Sequence, residues 1–308
     1  MKNREIKILS VNTAEKRGRK FEVKELILDK NGVINDAHSG PWNRQISIIS
    51  KDHVDQFKRL TECRNIEYGE FAENIFADNM ENIDVKEFDR FIIGEVELEV
   101  TQIGKPFHDK FRELGNYVMP RVGIFCRVVK TGTIKAGDVM IHKPKLFNIL
   151  VVTLSDRASK GDYEDISGPT IVSLTNEYFS KKNKNFKIEH KIIPDNASQL
   201  TELLKNATNN KTDVIITTGG TGIGPKDITV ETVKPMLKKE IPGIMEMIRL
   251  KFGMQKPNAL LSLGVAGVIG ESLIYTLPGS VKAVKEYLSE IFKTLDHLIY
   301  MLHGIDAH

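Results

Sequence analysis

The densest chemistry in the sequence is the run Thr217-Thr-Gly-Gly-Thr-Gly-Ile-Gly-Pro-Lys-Asp-Ile-Thr229, which follows directly on an apolar stretch. Four glycines in six residues (Gly219, Gly220, Gly222, Gly224) let backbone N–H groups approach a phosphate closely, and the hydroxyls of Thr217, Thr218 and Thr221 add donors. A tight turn chosen for backbone geometry alone would need neither the threonines nor Lys226-Asp227. The run is not a Walker A loop, because no Gly-Lys-Ser/Thr closes it. Pro225 stands where a dinucleotide fingerprint needs its third glycine after Gly220 and Gly222.

Two carboxylates accompany this loop. Asp227 ends it, and Asp195 follows the strand pattern Lys187–Ile193 through Pro194. Carboxylates are the usual protein ligands of Mg²⁺, which neutralises charge on a transferring phosphate. Taken singly, either aspartate is equally a helix N-cap. Asp156 and Arg157 sit just past another strand pattern and converge on the same edge. Leu277-Pro278-Gly279-Ser280 opens the last helical pattern. Its free N–H groups make an anion site, or Ser280 is an ordinary cap; both readings stay open.

The elements that must position these groups read as follows. Phe147–Leu154 is a nearly continuous apolar run, as expected of a parallel strand covered on both faces. A helical pattern follows, with Ile171, Leu174 and Tyr178 in step. Then come a strand over 186–193, a helix over 197–207, and strands over 213–218 and 273–277. One amphipathic helix over 281–302 closes the chain, with Val284, Leu288, Ile291, Leu295 and Leu298 along a face. This alternation predicts a doubly wound α/β domain over 147–308, with the glycine loop at a strand's carboxyl end, where open α/β sheets bind ligands.

Residues 1–146 have another texture. Short strand patterns alternate with turns, as in 21–28, 45–49, 95–101 and 123–129, with one weaker helical pattern over 52–63. Val96, Leu98 and Val100 share a face at period two. Many short strands with few helices predict a compact, mostly-β barrel. The segment His142-Lys-Pro-Lys145 reads as the linker.

Composition bounds the function. The chain has 308 residues, 41% hydrophobic and 28% charged, enough for two domains with real cores. A net charge of +3 is too small to argue for nucleic acid, and the clusters Lys16–Lys20 and Lys181–Lys184 read as solvated. Only Cys63 and Cys126 are present, without a CxxC, which excludes a disulfide framework and a thiolate zinc site. The N-terminus lacks a signal-peptide core and no stretch spans a bilayer, so a soluble cytoplasmic protein with no membrane partner is expected.

The second half resembles a known family. Ser155-Asp-Arg-Ala-Ser-Lys-Gly-Asp-Tyr-Glu-Asp-Ile-Ser-Gly-Pro169, Ile193-Pro-Asp195, the Thr-Gly-Gly-Thr-Gly loop with Asp227 and Thr229, and Leu277-Pro-Gly-Ser280 occur in order. Together they are similar to the molybdopterin adenylyltransferases and the G domain of gephyrin. The resemblance implies Mg²⁺-dependent transfer of an adenylyl group from ATP to molybdopterin, within molybdenum-cofactor biosynthesis. It makes Asp195 and Asp227 the catalytic and metal-binding acids. It gives substrate contacts to Ser155, Asp156, Arg157, Thr217, Thr218, Gly219, Gly220, Thr221, Gly222, Lys226, Thr229, Pro278, Gly279 and Ser280. It also implies a homotrimer and leaves room for a molybdenum-insertion protein as partner. Departures are Lys226 for the usual arginine, Leu263 for a frequent arginine after Ser262, and Val281 for the usual proline after Ser280.

The first half resembles a MOSC domain, a β-barrel family associated with molybdenum-cofactor sulfur chemistry. The matching residues are Asp36–Ser47, Gly69–Ile75, Leu98–Lys105 and Met119–Phe125, continuing to Gly137-Asp138. Single-domain relatives often read Gly-Lys-x-Cys-His-x-x-Cys where this chain has Gly104-Lys-Pro-Phe-His-Asp-Lys-Phe111. Phe107 and Phe111 carry no sulfur to ligate molybdenum or hold a persulfide. Cys126, inside an apolar strand pattern, reads as a buried structural thiol. His38, Trp42, Arg44, Glu73, Asn74 and Arg121 are the residues expected to line a pocket that binds or receives the cofactor. The competing readings are a non-catalytic carrier of molybdopterin or finished cofactor, and a nicotinamide-dependent oxidoreductase, which the missing fingerprint disfavours.

Overall fold

The computed structural model describes residues 5–61, 65–104 and 115–305, with only the backbone at 115–117. The chain divides into two compact units, Met1–Lys145 and Leu146–His308.

The first unit is built from β1 (Glu5–Thr13), β2 (Phe21–Glu22), β3 (Glu25–Asp29), β4 (Gly32–Val33), β5 (Ile46–Ser50), α1 (Lys51–Thr61), β6 (Ile75–Asp78), β7 (Arg90–Ile93), β8 (Val96–Ile103), α2 (Gly115–Val122), β9 (Ile124–Lys130), β10 (Gly132–Lys135) and β11 (Val139–Lys143). The order β11-β7-β8-β9-β5-β6-β1 closes through a β11–β1 pairing into a seven-stranded barrel. Closure removes the free edges that an open sheet would expose. Alternation decides what lies inside: Ile6 and Ile8 of β1, and Val96, Leu98 and Val100 of β8, are fully buried. The expected strand over 21–28 is split instead. Its first part pairs with β1 and its second with β10, so the chain changes partner between Glu22 and Glu25.

The second unit runs β12 (Phe147–Leu154), α3 (Asp156–Lys160), α4 (Ser167–Lys181), β13 (Phe186–Ile193), α5 (Ala197–Asn209), β14 (Val214–Thr218), α6 (Thr229–Val233), β15 (Lys239–Glu240), α7 (Pro242–Gly253), β16 (Ala266–Ile269), β17 (Ser272–Leu277), α8 (Val281–Ile291) and α9 (Leu295–Leu302). The sheet order is β13-β12-β14-β17-β16-β15. The first four strands are parallel; β16 and β15 are added antiparallel. Leu150, Val152, Leu154, Ile215 and Ile274 form one core with Leu200 and Leu204 of α5.

Register does the positioning. Leu154 pairs with Ile193, Thr153 with Thr218, and Thr218 with Leu277, so four parallel strands end on one edge. The segments after them start side by side.

The expected single helix over 281–302 is two helices. Hydrogen bonds from Lys293 to Glu290 (3.1 Å) and from Thr294 to Ile291 (3.1 Å) tighten the turn at 292–294, and Thr294 becomes the N-cap of α9. The apolar period continues across the break, with Ile291, Leu295 and Ile299 all buried, which is why the pattern reads as continuous. Among the described residues no helix is long and apolar enough to cross a membrane.

Candidate phosphate-binding active site

The glycine loop departs from β14 by a path only glycine tolerates well. Gly219 and Gly220 have φ +98° and +63°, and a Cβ on Gly219 would stand 2.3 Å from the Leu154 carbonyl oxygen. The Gly219 N–H bonds the Leu277 carbonyl (3.0 Å), which joins the loop to the end of β17. Gly279 packs against the same turn, a Cβ on it lying at van der Waals distance, 3.5 Å, from the Gly219 Cα.

The threonines brace this path. Thr218 donates its hydroxyl to the Pro278 carbonyl (2.9 Å), and Thr229 donates to the Gly219 carbonyl (2.8 Å). Thr217 is fully buried, its Oγ1 without a hydrogen-bond partner among the described residues. Thr221 is buried, and its carbonyl accepts the Leu263 N–H (2.9 Å). The structure thus points the Thr218 and Thr229 hydroxyls at backbone carbonyls.

Asp227 turns back over its own loop. Its Oδ2 accepts the Gly224 N–H at 2.8 Å. Asp156 and Asp195 meet across the ends of β12 and β13: the Asp156 N–H donates to Asp195 Oδ2 (3.0 Å) and the Asp195 N–H to Asp156 Oδ1 (3.2 Å). The other Asp156 oxygen takes Lys226 Nζ at 2.9 Å. Lys226 first, and then the Asp195 N–H, hold the Asp156 carboxyl below its ordinary range, and Asp156 in turn raises Lys226. Ser155 and Ser280 are both N-caps, accepting from Ala158 and Ala283 at 3.2 Å. Arg157 lies over the Tyr163 ring at 5.1 Å.

The donor set suits Mg²⁺ held between protein and polyphosphate. Among the described residues no three His, Cys, Asp or Glu side chains cluster as a metal cage. Asp195 and Asp227 each spend one oxygen on a backbone N–H. Mg²⁺ characteristically takes one or two carboxylates and fills its shell with phosphate oxygens and water.

A separate cavity lies beside the segment that bonds the loop at Thr221. Arg249 on α7 donates through Nη1 to the carbonyls of Ser262 (3.3 Å) and Gly264 (3.1 Å), which flank the Leu263 bonded to Thr221. It lines this cavity of about 450 Å³ together with Lys234, Glu240, Met245 and Leu263. A lone arginine on a helix of mixed pattern gives no local signal.

In the first unit the anticipated pocket residues differ in exposure. Glu73 and Asn74 are fully buried, whereas Trp42, Arg44 and Arg121 are exposed. Glu73 accepts the backbone N–H groups of Gly69 (2.6 Å) and Phe71 (3.1 Å). Asn74 donates to Asp36 (3.1 Å), as does Lys20 (2.7 Å), and both residues of the Lys20–Asp36 pair are buried. Lys20 is therefore a core residue and not part of a solvated basic cluster. Cys126 is fully buried, and burial pushes its thiol pKa up. Cys63, Phe107 and Phe111 lie outside the described residues.

Residues 150–297 match the family described as "Probable molybdopterin binding domain", and residues 35–141 match the MOSC domain. A molybdopterin adenylyltransferase of Pyrococcus furiosus is 39% identical over 50% of this chain and 92% of its own length. One from Helicobacter pylori is 35% identical over 51% of this chain and 88% of its own. Gephyrin of Dictyostelium discoideum is 36% identical over 50% of this chain, which spans 22% of that protein. The chain thus joins a MOSC domain to an α/β domain that matches the probable molybdopterin binding family. Through that α/β domain the chain belongs to the molybdopterin adenylyltransferase family.

Proposed function

We propose that the second domain transfers the adenylyl group of ATP to molybdopterin and releases pyrophosphate. The observation that carries this reading is the shared edge. Two acids, a glycine loop and an N-capped helix follow four strands held in register. An oxygen of the molybdopterin phosphate attacks the α-phosphorus of ATP; the new P–O bond forms as the bond to the bridging oxygen breaks, and that oxygen leaves with pyrophosphate. Bound Mg²⁺ would neutralise charge on the triphosphate. The chain's own part is positioning: the loop's backbone N–H groups orient the phosphates, Lys226 adds a charge, and Asp195 and Asp227 are the residues that would hold Mg²⁺.

The doubly wound arrangement is supported by α5 packing against the even-numbered core residues of β12 while α4 contacts the same strand and α8. The MOSC domain is read as binding or receiving cofactor without covalent sulfur chemistry, since its one described thiol is buried. The homotrimer and the cytoplasmic setting rest on the family resemblance and on the sequence. Mixing the whole chain with molybdopterin, ATP and Mg²⁺ tests the proposal: pyrophosphate release is expected, whereas a non-catalytic carrier releases none.

A further inference from the structure

Resting on that reading, we propose that Asp156 is a positioning residue with two separable tasks: it fixes Asp195, and it holds Lys226 as a counter-ion that the ATP phosphates must displace. The first task follows from the reciprocal hydrogen bonds. Each aspartate gives one carboxylate oxygen to the other's backbone N–H, at 3.0 and 3.2 Å, just beyond the last register pair Leu154–Ile193. The Asp156 backbone N–H sets the rotation of the Asp195 carboxylate, and the Asp156 side chain ties the Asp195 backbone to the end of β12. Ser155, capping α3, fixes the backbone from which Asp156 reaches out.

The second task follows from what remains. Asp156 Oδ2 is taken by Lys226 Nζ at 2.9 Å, so both carboxylate oxygens are occupied within the protein and Asp156 is not a ready substrate contact. Lys226 is the one cation in the run Thr217–Thr229. Its side chain is 78% exposed and its partner's 32%. Ion pairs so open to water are weak, and an ammonium is a compact charge on a flexible stem that exchanges partners readily. A triphosphate carries far more negative charge than one carboxylate. The loop's cation is therefore parked on a neighbouring strand end in the free protein and moves to phosphate when nucleotide arrives. After the exchange Asp156 keeps the Asp195 N–H on its Oδ1.

Asparagine separates the tasks. Asp156→Asn keeps one acceptor for the Asp195 N–H and presents no charge to Lys226; Asp156→Ala removes both. Steady-state kcat and KM for ATP, at fixed Mg²⁺ and saturating molybdopterin, read the difference. Asp156→Asn is expected to lower KM for ATP about threefold, the scale of an exposed ion pair. Asp156→Ala is expected to lower KM similarly, with kcat falling about tenfold below that of Asp156→Asn as the Asp195 backbone loses its anchor on the Asp156 side chain and shifts the carboxylate it carries. In a Lys226→Met background the KM effect of Asp156→Asn should vanish. An unchanged or higher KM in Asp156→Asn overturns the counter-ion task, and equal kcat in the two variants overturns the positioning task. If the unsubstituted chain turns nothing over, the adenylyl-transfer reading fails by itself. Equilibrium binding of Mg²⁺-ATP then decides the exchange, since Asp156→Asn must bind more tightly than the parent chain or the inference falls.

Discussion

A Cβ placed on Gly222 would stand 2.6 Å from Asp227 Oδ2, the same oxygen that accepts the Gly224 N–H at 2.8 Å. The absent side chain at Gly222 is what lets Asp227 lie back over the loop. Gly222 has no positive φ, so alanine is compatible with its backbone and the clash falls on the carboxylate. Gly222→Ala should leave the melting temperature within a few degrees and lower kcat about a hundredfold, the cost of displacing a reacting group by roughly 1 Å. Turnover measured beside a thermal melt checks both halves of that expectation.

Lys20 and Asp36 form a buried ion pair at 2.7 Å inside the barrel. Removing one partner strands the other charge away from water. Lys20→Met should destabilise the first domain by about 3–5 kcal/mol. Trp42, the only tryptophan, lies in that domain, so its fluorescence in a urea titration reports the barrel separately. Unchanged unfolding would contradict the pair's structural role.

Burial pushes the Glu73 carboxyl up to about 7, against the backbone N–H groups and Lys20 that favour its charge. A raised carboxylate favours the protonated folded form. Its stabilisation is therefore complete below the ordinary value of 4.5 and is lost as pH climbs through about 7. The barrel's urea midpoint should fall between pH 5 and 8, by up to about 3 kcal/mol of stability. Burial holds His53 below 6.5, which acts in the opposite sense, so the comparison is with Glu73→Gln, in which the fall should disappear.

These residues show where the sequence was readable. The apolar run Phe147–Leu154 and the glycine loop carry their meaning locally, and β12 and the loop after β14 form where the pattern placed them. What was not readable depends on partners distant in the chain. The mutual hold of Asp156 and Asp195 spans 39 positions and exists only because β12 and β13 pair in one register. Lys20 looks solvated because its neighbours are basic, yet barrel closure buries it against Asp36. Helix–helix breaks such as 292–294 leave the apolar period intact, so periodicity cannot locate them.

Cys126 is the described thiol closest in type to the sulfur chemistry of MOSC relatives, and burial raises its pKa. It should resist alkylation at pH 8 in the native protein and react fully once unfolded. Peptide mapping of iodoacetamide adducts distinguishes it from Cys63. Rapid native labelling at Cys126 would contradict a structural thiol.

The central claim is transfer of the α-phosphate of ATP. The most direct measurement follows ATP labelled at that phosphate, mixed with Mg²⁺, molybdopterin and the full chain. Label is expected in an adenylylated molybdopterin product, and Asp227→Ala, still folded by circular dichroism, is expected to lose that transfer. Label that stays in ATP with the unsubstituted chain, or transfer by Asp227→Ala at the same rate, would contradict the account.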